Sequence, residues 1–533
     1  MRRTAAVLAL VVPAALALVA APAPAATTSA TPAFRTALLD GSSGSSEPRV
    51  TVAPKDVRYL TTNAKSGDET VYRSTDGLAW QKTTTPGNQT NPTTDVDVVS
   101  MPDGRVLTSE LDFAGINFIT HYSDDQGKTW TQSQGTTYAD TDRQWFAVGP
   151  KDPSTGKPRV YMLFHNLLSG LLQHNMFVAT STDGGATFGP PIPVATPPQQ
   201  DYLDLQCADS GGPSNIFVNQ KTGQVYVVFG TRSSPVGGCA AQPVEVNVVA
   251  ANRVWVVTAA AADTATPGAW TPSLAVDDTA AGKITGMQLA PGAVDDAGNV
   301  YVAYPESVHD YPDYNGAAIK VVHSTDNLKT WSKPLVVEPP GGVGHILPHI
   351  VAGEAGKIGL AYYSGAAGNV WYSDTAQVLD ALSTAPHVTR TRLSDVVVEK
   401  GTASELMGAC MQGQQATLNG FACGRSTDVN GIAIDSCGNL LVTFPAQANL
   451  PTDATYVSQQ TAGTRLRSGV CGRAAVPPTV IRPVAVPPAA QPPSTVGNGT
   501  NRLAATGAPA GLAALALLLL AAGLLIRRRT ARP

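Results

Sequence analysis

The sequence predicts an all-β chain folded as a six- or seven-bladed β-propeller. Three observations predict it: a hairpin signature that occurs four times, an apolar strand, turn and strand unit that occurs six times, and the lack of a credible amphipathic helix between copies. The signature is Ser74-Thr75-Asp76-Gly77-Leu78-Ala79-Trp80, then Ser123 to Trp130, Ser181 to Phe188 and Ser324 to Trp331, on the template S-x-D-x-G-x-T-W. The second copy carries one extra residue, and the first and fourth lack some template positions. Ser and Asp side chains in such a segment bond nearby backbone amides, Gly accepts positive φ, and the terminal aromatic packs between sheets. Asp76, Asp125, Asp183 and Asp326 are therefore expected to be structural.

The strand unit is clearest at Asp295-Asp296-Ala297-Gly298-Asn299, followed by the apolar Val300 to Tyr304. Equivalent units lie at Val98 to Val106, Trp145 to Phe164, Ile216 to Phe229, Ile350 to Tyr363 and Ile432 to Phe444. Each reads as two strands around a tight turn. The Ser74 signature implies a further partial unit before them. Ring closure is expected to pair a strand near Arg49 to Val52 with the last blade, removing exposed sheet edges.

The two ends of the chain read differently. Arg2 and Arg3 precede an apolar run, and Ala23-Pro24-Ala25 has the small residues of a signal-peptidase site, so residues 1–25 read as a signal peptide. Residues 26–46 are expected to be flexible and 47–473 to form the propeller. From 474 to 502 the chain is Pro/Ala-rich and nearly uncharged, a composition for an extended spacer. Leu503-Ala504-Ala505-Thr506-Gly507 opens the final segment, 503–533, which continues with an apolar run over 508–526 and Arg527, Arg528 and Arg529. This order resembles a sortase sorting signal of the L-A-x-T-G kind. That resemblance implies cleavage after Thr506, sortase and cell-wall peptidoglycan as partners, and a membrane span only before sorting. A plain C-terminal membrane anchor is the alternative. Both put the domain outside the cell, as a secreted, surface-displayed protein.

Composition narrows the chemistry. With 14% charged residues, a net charge of −4 and no basic cluster outside the ends, the chain lacks the footprint of a nucleic-acid binder. Export permits disulfides, and the six cysteines are an even set: Cys207, Cys239, Cys410, Cys423, Cys437 and Cys471. About fifteen pairings are open, with proximity favouring Cys207 with Cys239, Cys410 with Cys423, and Cys437 with Cys471. The short C-x-x-C or C-x-x-H pairs of a zinc site are missing, and neither metal nor cofactor is expected. Pro348 separates His345 from His349, which argues against a helical metal pair. A turn role outweighs calcium binding at Asp295-Asp296. Neither a G-x-S-x-G elbow nor a phosphate loop is present.

The repeated signature resembles the Asp-box, or bacterial neuraminidase repeat, of the sialidase superfamily, and Leu347 to Phe444 resembles the C-terminal half of secreted sialidase-like propellers. In such a blade the start of the inner strand and the end of the second strand open on one face, opposite the Asp-boxes. On that face the sequence places Asp142, Arg143, His349, Arg425, Asp428, Glu110, Asp112, His165, Asn166, Arg232, Tyr304, Glu306, Tyr362 and Tyr363. The resemblance implies that arginines such as Arg143, Arg232 and Arg425 would hold a substrate carboxylate. It further implies a tyrosine nucleophile, Tyr304 with Glu306 or Tyr362, and Glu110 or Asp112 as the acid. The F-R-I-P segment that supplies a first arginine in sialidases has no counterpart; Phe34-Arg35 is followed by Thr36-Ala37. The expected function is thus binding of an extracellular glycan or other ligand on the axial face, with an exo-α-sialidase as the alternative.

Overall fold

The computed structural model describes residues 31–469 apart from 65–69, 85–92, 113–116, 139–140, 167–173, 208–211, 236–238, 240–250, 286–288, 309–314, 402–429 and 447–453. Seven antiparallel sheets make seven blades. Blade 1 runs Ser45–Ala53, Val57–Ala64, Thr70–Ser74 and Gln81–Lys82 from inside outward; blade 2 runs Thr93–Ser100, Val106–Asp112, Asn117–Ser123 and Thr131–Gln132. Blade 3 comprises Thr141–Lys151, Pro158–Asn166, Met176–Ser181 and Ile192–Pro193, and blade 4 Pro213–Val218, Val225–Thr231, Arg253–Ala259 and Thr271–Asp277. Blade 5 has Gly292–Val294, Val300–Ser307, Ala318–Ser324 and Leu335–Glu338, with Ile284–Thr285 added beside its second strand. Blade 6 has Gly344–Ala352, Ile358–Ala366, Val370–Val378 and Val388–Arg392. Blade 7 is built of Gly431–Ile434, Leu440–Ala446, Ala454–Ala462 and, outermost, Ala33–Leu38 from the other end of the chain.

Burial explains why these segments are strands at these depths. Second strands carry neighbours on both faces, and several read as mainly apolar runs: every residue of Val225–Thr231, Val300–Ser307 and Leu440–Ala446 is buried. Outer strands such as Gln81–Lys82 and Thr131–Gln132 are exposed and polar. Seven apolar clusters fill the seven seams between consecutive blades, among them Trp145, Tyr161 and Val178 against Ile216, Val227 and Trp255, and Leu60 and Tyr72 against Leu441 and Val457. The last of these joins blade 7 to blade 1, so the core is a closed ring.

The expected repeats are present, with corrections. Ring closure uses Ala33–Leu38, paired along Ala454–Ala462, whereas Arg49 to Val52 belongs to the inner strand of blade 1 and pairs with Arg58 to Thr61. The stretch 26–46, expected to be flexible, therefore contains the closing strand. A half-exposed six-residue strand offers too weak an apolar pattern to be recognised before its partner is known. One short helix, Gln200–Leu205, links blades 3 and 4 where none was expected. Cys207 is bonded to Cys239 as proximity suggested, and Cys437 is also in a disulfide. Cys410, Cys423, Cys471, Arg425, Asp428, the leader and the segment 503–533 lie outside the described residues. Among the described residues no helix is long and apolar enough to cross a membrane.

All four signature segments are hairpin turns between third and fourth strands. In blade 2 Ser123 Oγ accepts from the Gly127 amide at 2.8 Å, while Asp125 accepts from the amides of Lys128 and Thr129 at 3.0 and 2.9 Å and from the Thr129 hydroxyl at 2.7 Å. These bonds hold Asp125 down at about 2, and Asp326 is held there in the same way. The strand alternation puts these turns on the face opposite the starts of the inner strands. Asp295 is likewise a turn residue, accepting from the amides of Ala297, Asn299 and Gly356 and from the Tyr301 hydroxyl.

Candidate functional site

Inner strands enter the ring through a recurring irregularity. The ladder slips between Ser46 and Arg49, Thr93 and Val96, Asp142 and Trp145, and Ile346 and His349. Within three of these bulges a non-glycine residue takes the left-handed conformation: Glu47 at φ 49°, Arg143 at 57° and Leu347 at 52°. Bulges re-aim side chains beside functional sites, and left-handed backbone at a bulky residue stores strain. Here they concentrate polar groups at the axial mouth of blades 1 to 3.

Glu47, Asp95 and Asp142 come from three successive blades and interact in series, Asp95 hydrogen-bonding both others. Burial, reinforced by the charges of Asp142 and Glu47, pushes the Asp95 carboxyl well above the usual range. Asp142 moves the other way, to about 2: burial would raise it, but His165, Arg143 and the proton on Asp95 outweigh that. The series is therefore biased toward a protonated Asp95 beside an ionised Asp142. His165 Nε2 stands 3.8 Å from Asp142 Oδ2, an ion-pair distance too long for a hydrogen bond. Its Nδ1 is 3.2 Å from His174 Nε2, and burial together with His165 lowers His174 to about 3, keeping that ring neutral.

The cradle is tight and braced from beneath. The Arg143 amide donates to Asp142 Oδ1 at 2.9 Å, and the Gln144 side chain donates to the Asp95 carbonyl at 2.8 Å. A Cβ at Gly212 would lie 3.1 Å from Arg143 Cδ and 3.2 Å from His165 Nε2, so a larger residue there would press both side chains aside by a few tenths of an ångström. Asp97 accepts from Arg49 Nε at 3.0 Å and from the Phe146 amide at 2.7 Å, tying blades 1, 2 and 3 together. Arg49 also lies over the Trp145 ring at 4.8 Å.

The residues singled out from sequence are distributed differently. Arg143 joins the carboxylate series, and the Asp142-Arg143 pairing is present as a contact within that cradle. Arg232 instead lines a cavity between blades 4 and 5, and Arg143 is not among its walls. Tyr304 is fully buried in the seam between those blades, its hydroxyl without a hydrogen-bond partner. Burial and the nearby Asp278 and Glu306 raise it far above the range of an activated nucleophile. Glu306 is engaged by Lys283 and Lys320. Tyr362 donates to Glu338 Oε2 at 2.7 Å, a tyrosine with its carboxylate, yet it too is fully buried. A hydroxyl sealed in a seam between blades has no path to a substrate carbon. Glu110 is buried in blade 2, and Asp112 stands at the end of the same strand, opposite Thr93. His345 and His349 lie on a strand, hydrogen-bonded separately to Ser364 and to the Asn430 amide.

Glu47, Asp95 and His174 were not singled out from sequence. A signal existed: Glu47, Asp95 and Asp142 recur at one-blade intervals. It acquires meaning once the bulges place all three at one mouth.

No family model and no curated protein matches the chain. Among solved structures, a xyloglucanase from Xanthomonas campestris is 12% identical with a TM-score of 0.44, over 78% of this chain and 54% of that one. A protein of unknown function from Dyadobacter fermentans is 11% identical, TM-score 0.41, over 80% and 98%. An α-L-arabinanase from Penicillium chrysogenum is 12% identical, TM-score 0.38, over 82% and 99%. The chain is a seven-bladed β-propeller with a carboxylate-rich axial mouth.

Proposed function

We propose that the axial mouth of blades 1 to 3 binds a neutral, polyhydroxylated ligand, a glycan, and that the chain displays this propeller outside the cell. The observation that carries the reading is the series Glu47, Asp95 and Asp142 beside the guanidinium of Arg143. Ionised carboxylates accept strong hydrogen bonds from sugar hydroxyls. The ionised Asp142 repels an anionic ligand, which counts against sialic acid at this mouth. The signal-peptide pattern and the Leu503 to Gly507 motif support export and attachment to the wall.

The test is calorimetric titration of the chain with a panel of neutral oligosaccharides, repeated on Asp142→Asn. One charged hydrogen bond contributes about 1.5–3 kcal/mol, so the variant is expected to bind about tenfold more weakly or worse. Binding unaffected by the substitution, or no binding across the panel, overturns the reading. A second reading is glycoside hydrolysis at the same mouth, favoured by an Asp95 shifted toward its acid form beside an Asp142 shifted toward its base form, the pairing that acid and base catalysis require. Release of 4-methylumbelliferone from neutral glycosides would establish it, and release from the sialic acid conjugate would establish the exo-α-sialidase form. No release from either class leaves binding as the function.

A further inference from the structure

We infer that His165 and His174 are positioning residues, a relay anchored on the short helix between blades 3 and 4 that turns one ring nitrogen of His165 onto the Asp142 carboxylate. Its bearing on ligand rests on the axial reading, in which Asp142 meets the sugar; the relay itself is tested without ligand.

Hydrogen-bond chemistry gives the relay its direction. His174 Nδ1 lies 3.4 Å from the Leu205 carbonyl, which can only accept, so Nδ1 carries the ring proton. Burial, with His165 adding to it, lowers His174 to about 3, so this ring is neutral and its Nε2 is a bare acceptor. His165 Nδ1, 3.2 Å away, is therefore the donor, whatever the charge of its own ring. Any positive charge that His165 takes up is then a proton on Nε2. That nitrogen has no hydrogen-bond partner among the described residues, and Asp142 Oδ2 faces it at 3.8 Å.

Both ends of the relay are held. Gln206 Nε2 donates to the His174 carbonyl at 3.0 Å and to the Tyr202 carbonyl at 3.1 Å, tying His174 to the helix Gln200–Leu205. The disulfide from Cys207 to Cys239 fixes the chain just beyond that helix. The residues that follow the two histidines bond to each other, the Asn175 amide donating to Asn166 Oδ1 at 2.9 Å. At the far end Asp142 and His165 stand opposite each other on adjacent strands. The Arg143 amide donates to Asp142 Oδ1, and Oδ2 is the oxygen turned to the imidazole.

Exposure separates the two roles. The Asp142 side chain is 16% exposed and that of His165 1%, so the carboxylate reaches the mouth and the imidazole acts through it. Burial by itself raises Asp142; His165 is the largest opposing effect, ahead of Arg143 and Asp95, and the carboxyl stays at about 2. The other titratable or charged groups of this series are Glu47 from blade 1, Asp95 from blade 2, and Arg143 and His174 from blade 3. Of these Arg143 bears positive charge, and the neutral His174 brings none.

The experiment follows the carbon-13 shift of the Asp142 carboxyl against pH by NMR. His165→Gln keeps an N–H near Asp142 and removes the charge, and is expected to raise the carboxyl midpoint by at least about one pH unit, a tenfold gain in proton affinity. His174→Phe, which cannot accept from His165, is expected to raise it too, and His174→Gln, which can, to keep it low. Residues that only fill the seam would change the melting temperature and leave the midpoint alone; an unmoved midpoint in folded His165→Gln overturns the inference. Should that variant fail to fold, nitrogen-15 shifts of the native imidazoles decide. The expected pattern is a His174 proton on Nδ1 and a His165 ring that titrates at Nε2; a His174 proton on Nε2, or titration of His165 at Nδ1, overturns the relay. Absence of binding to the neutral oligosaccharide panel overturns the axial reading alone, because the carboxyl titration reads the relay in either case.

Discussion

Asp201 shows how a single side chain sets a pH dependence. It sits in the first turn of the short helix between blades 3 and 4, is fully buried, and neither carboxylate oxygen has a hydrogen-bond partner. Burial pushes it up to about 6, with Asp204 adding to the effect and the nearby amides of Asp201 and Tyr202 offsetting only part of it. The unfolded chain releases this proton near the ordinary value of about 3.9. Between about pH 4 and pH 6 the folded state therefore binds more protons than the unfolded one, so this group's contribution declines as pH rises and is lost above about 6. Asp201→Asn is expected to raise stability at pH 7.5 by on the order of 1–3 kcal/mol and to change little at pH 4. Calorimetric melting at the two pH values checks it; a lower melting temperature at pH 7.5 would falsify the assignment. Asp142 has the opposite sign, since a carboxyl depressed to about 2 stabilises the fold above the unfolded value and loses that contribution as pH falls through 2.

At the scale of elements, the signature hairpin is a self-contained device. In blade 3, Ser181 Oγ accepts from the Gly185 amide at 2.9 Å, and Asp183 accepts from the Thr187 amide and hydroxyl at 2.9 and 2.7 Å. Gly184 and Gly185 take φ of 75° and 77°, which the turn requires. Asp183→Ala leaves amides without acceptors and is expected to cost about 1–2 kcal/mol, as loss of an end cap does. Faster amide hydrogen exchange confined to Ala186 and Thr187 and the two strands they join is the expected local readout, and exchange unchanged there would show that the aspartate is dispensable.

This device was legible in the sequence because every partner lies two to four residues away. The second strands of blades 4, 5 and 7 were legible for a related reason, being mainly apolar on both faces where two blades cover them. The closing strand was not: Thr36 bonds Ser458 across 422 positions, and the burial of Ala33–Leu38 is only partial. The site was half legible. Asp142 and Arg143 stood out as a charged pair before an apolar strand, whereas Glu47 and Asp95 became site residues through contacts between blades.

At the scale of the whole molecule, stability depends on the ring being shut. Each seam is apolar, so a blade lacking a neighbour exposes a complete core face. Closure rests on Ala33–Leu38, whose register runs from Ala33 opposite Ala462 to Leu38 opposite Tyr456. Side chains extend it: Thr36 Oγ1 donates to the Leu393 carbonyl of blade 6 at 2.7 Å. Beyond the strand, the Leu39 amide donates to the Thr455 carbonyl at 2.9 Å, and Ser42 Oγ accepts from the Thr455 amide at 3.0 Å. Removing the strand uncovers the edge of Ala454–Ala462, a template for pairing with another chain. A chain beginning at Thr31 is expected to keep the association state of the longer chain, with one cooperative melting transition. One beginning at Gly41 is expected to melt at lower temperature and to associate through the open edge. Light scattering and calorimetry on the pair decide the matter: equal melting temperatures and equal monodispersity would show that the seams alone hold the ring, whereas a shift confined to the shorter chain assigns closure to the N-terminal strand.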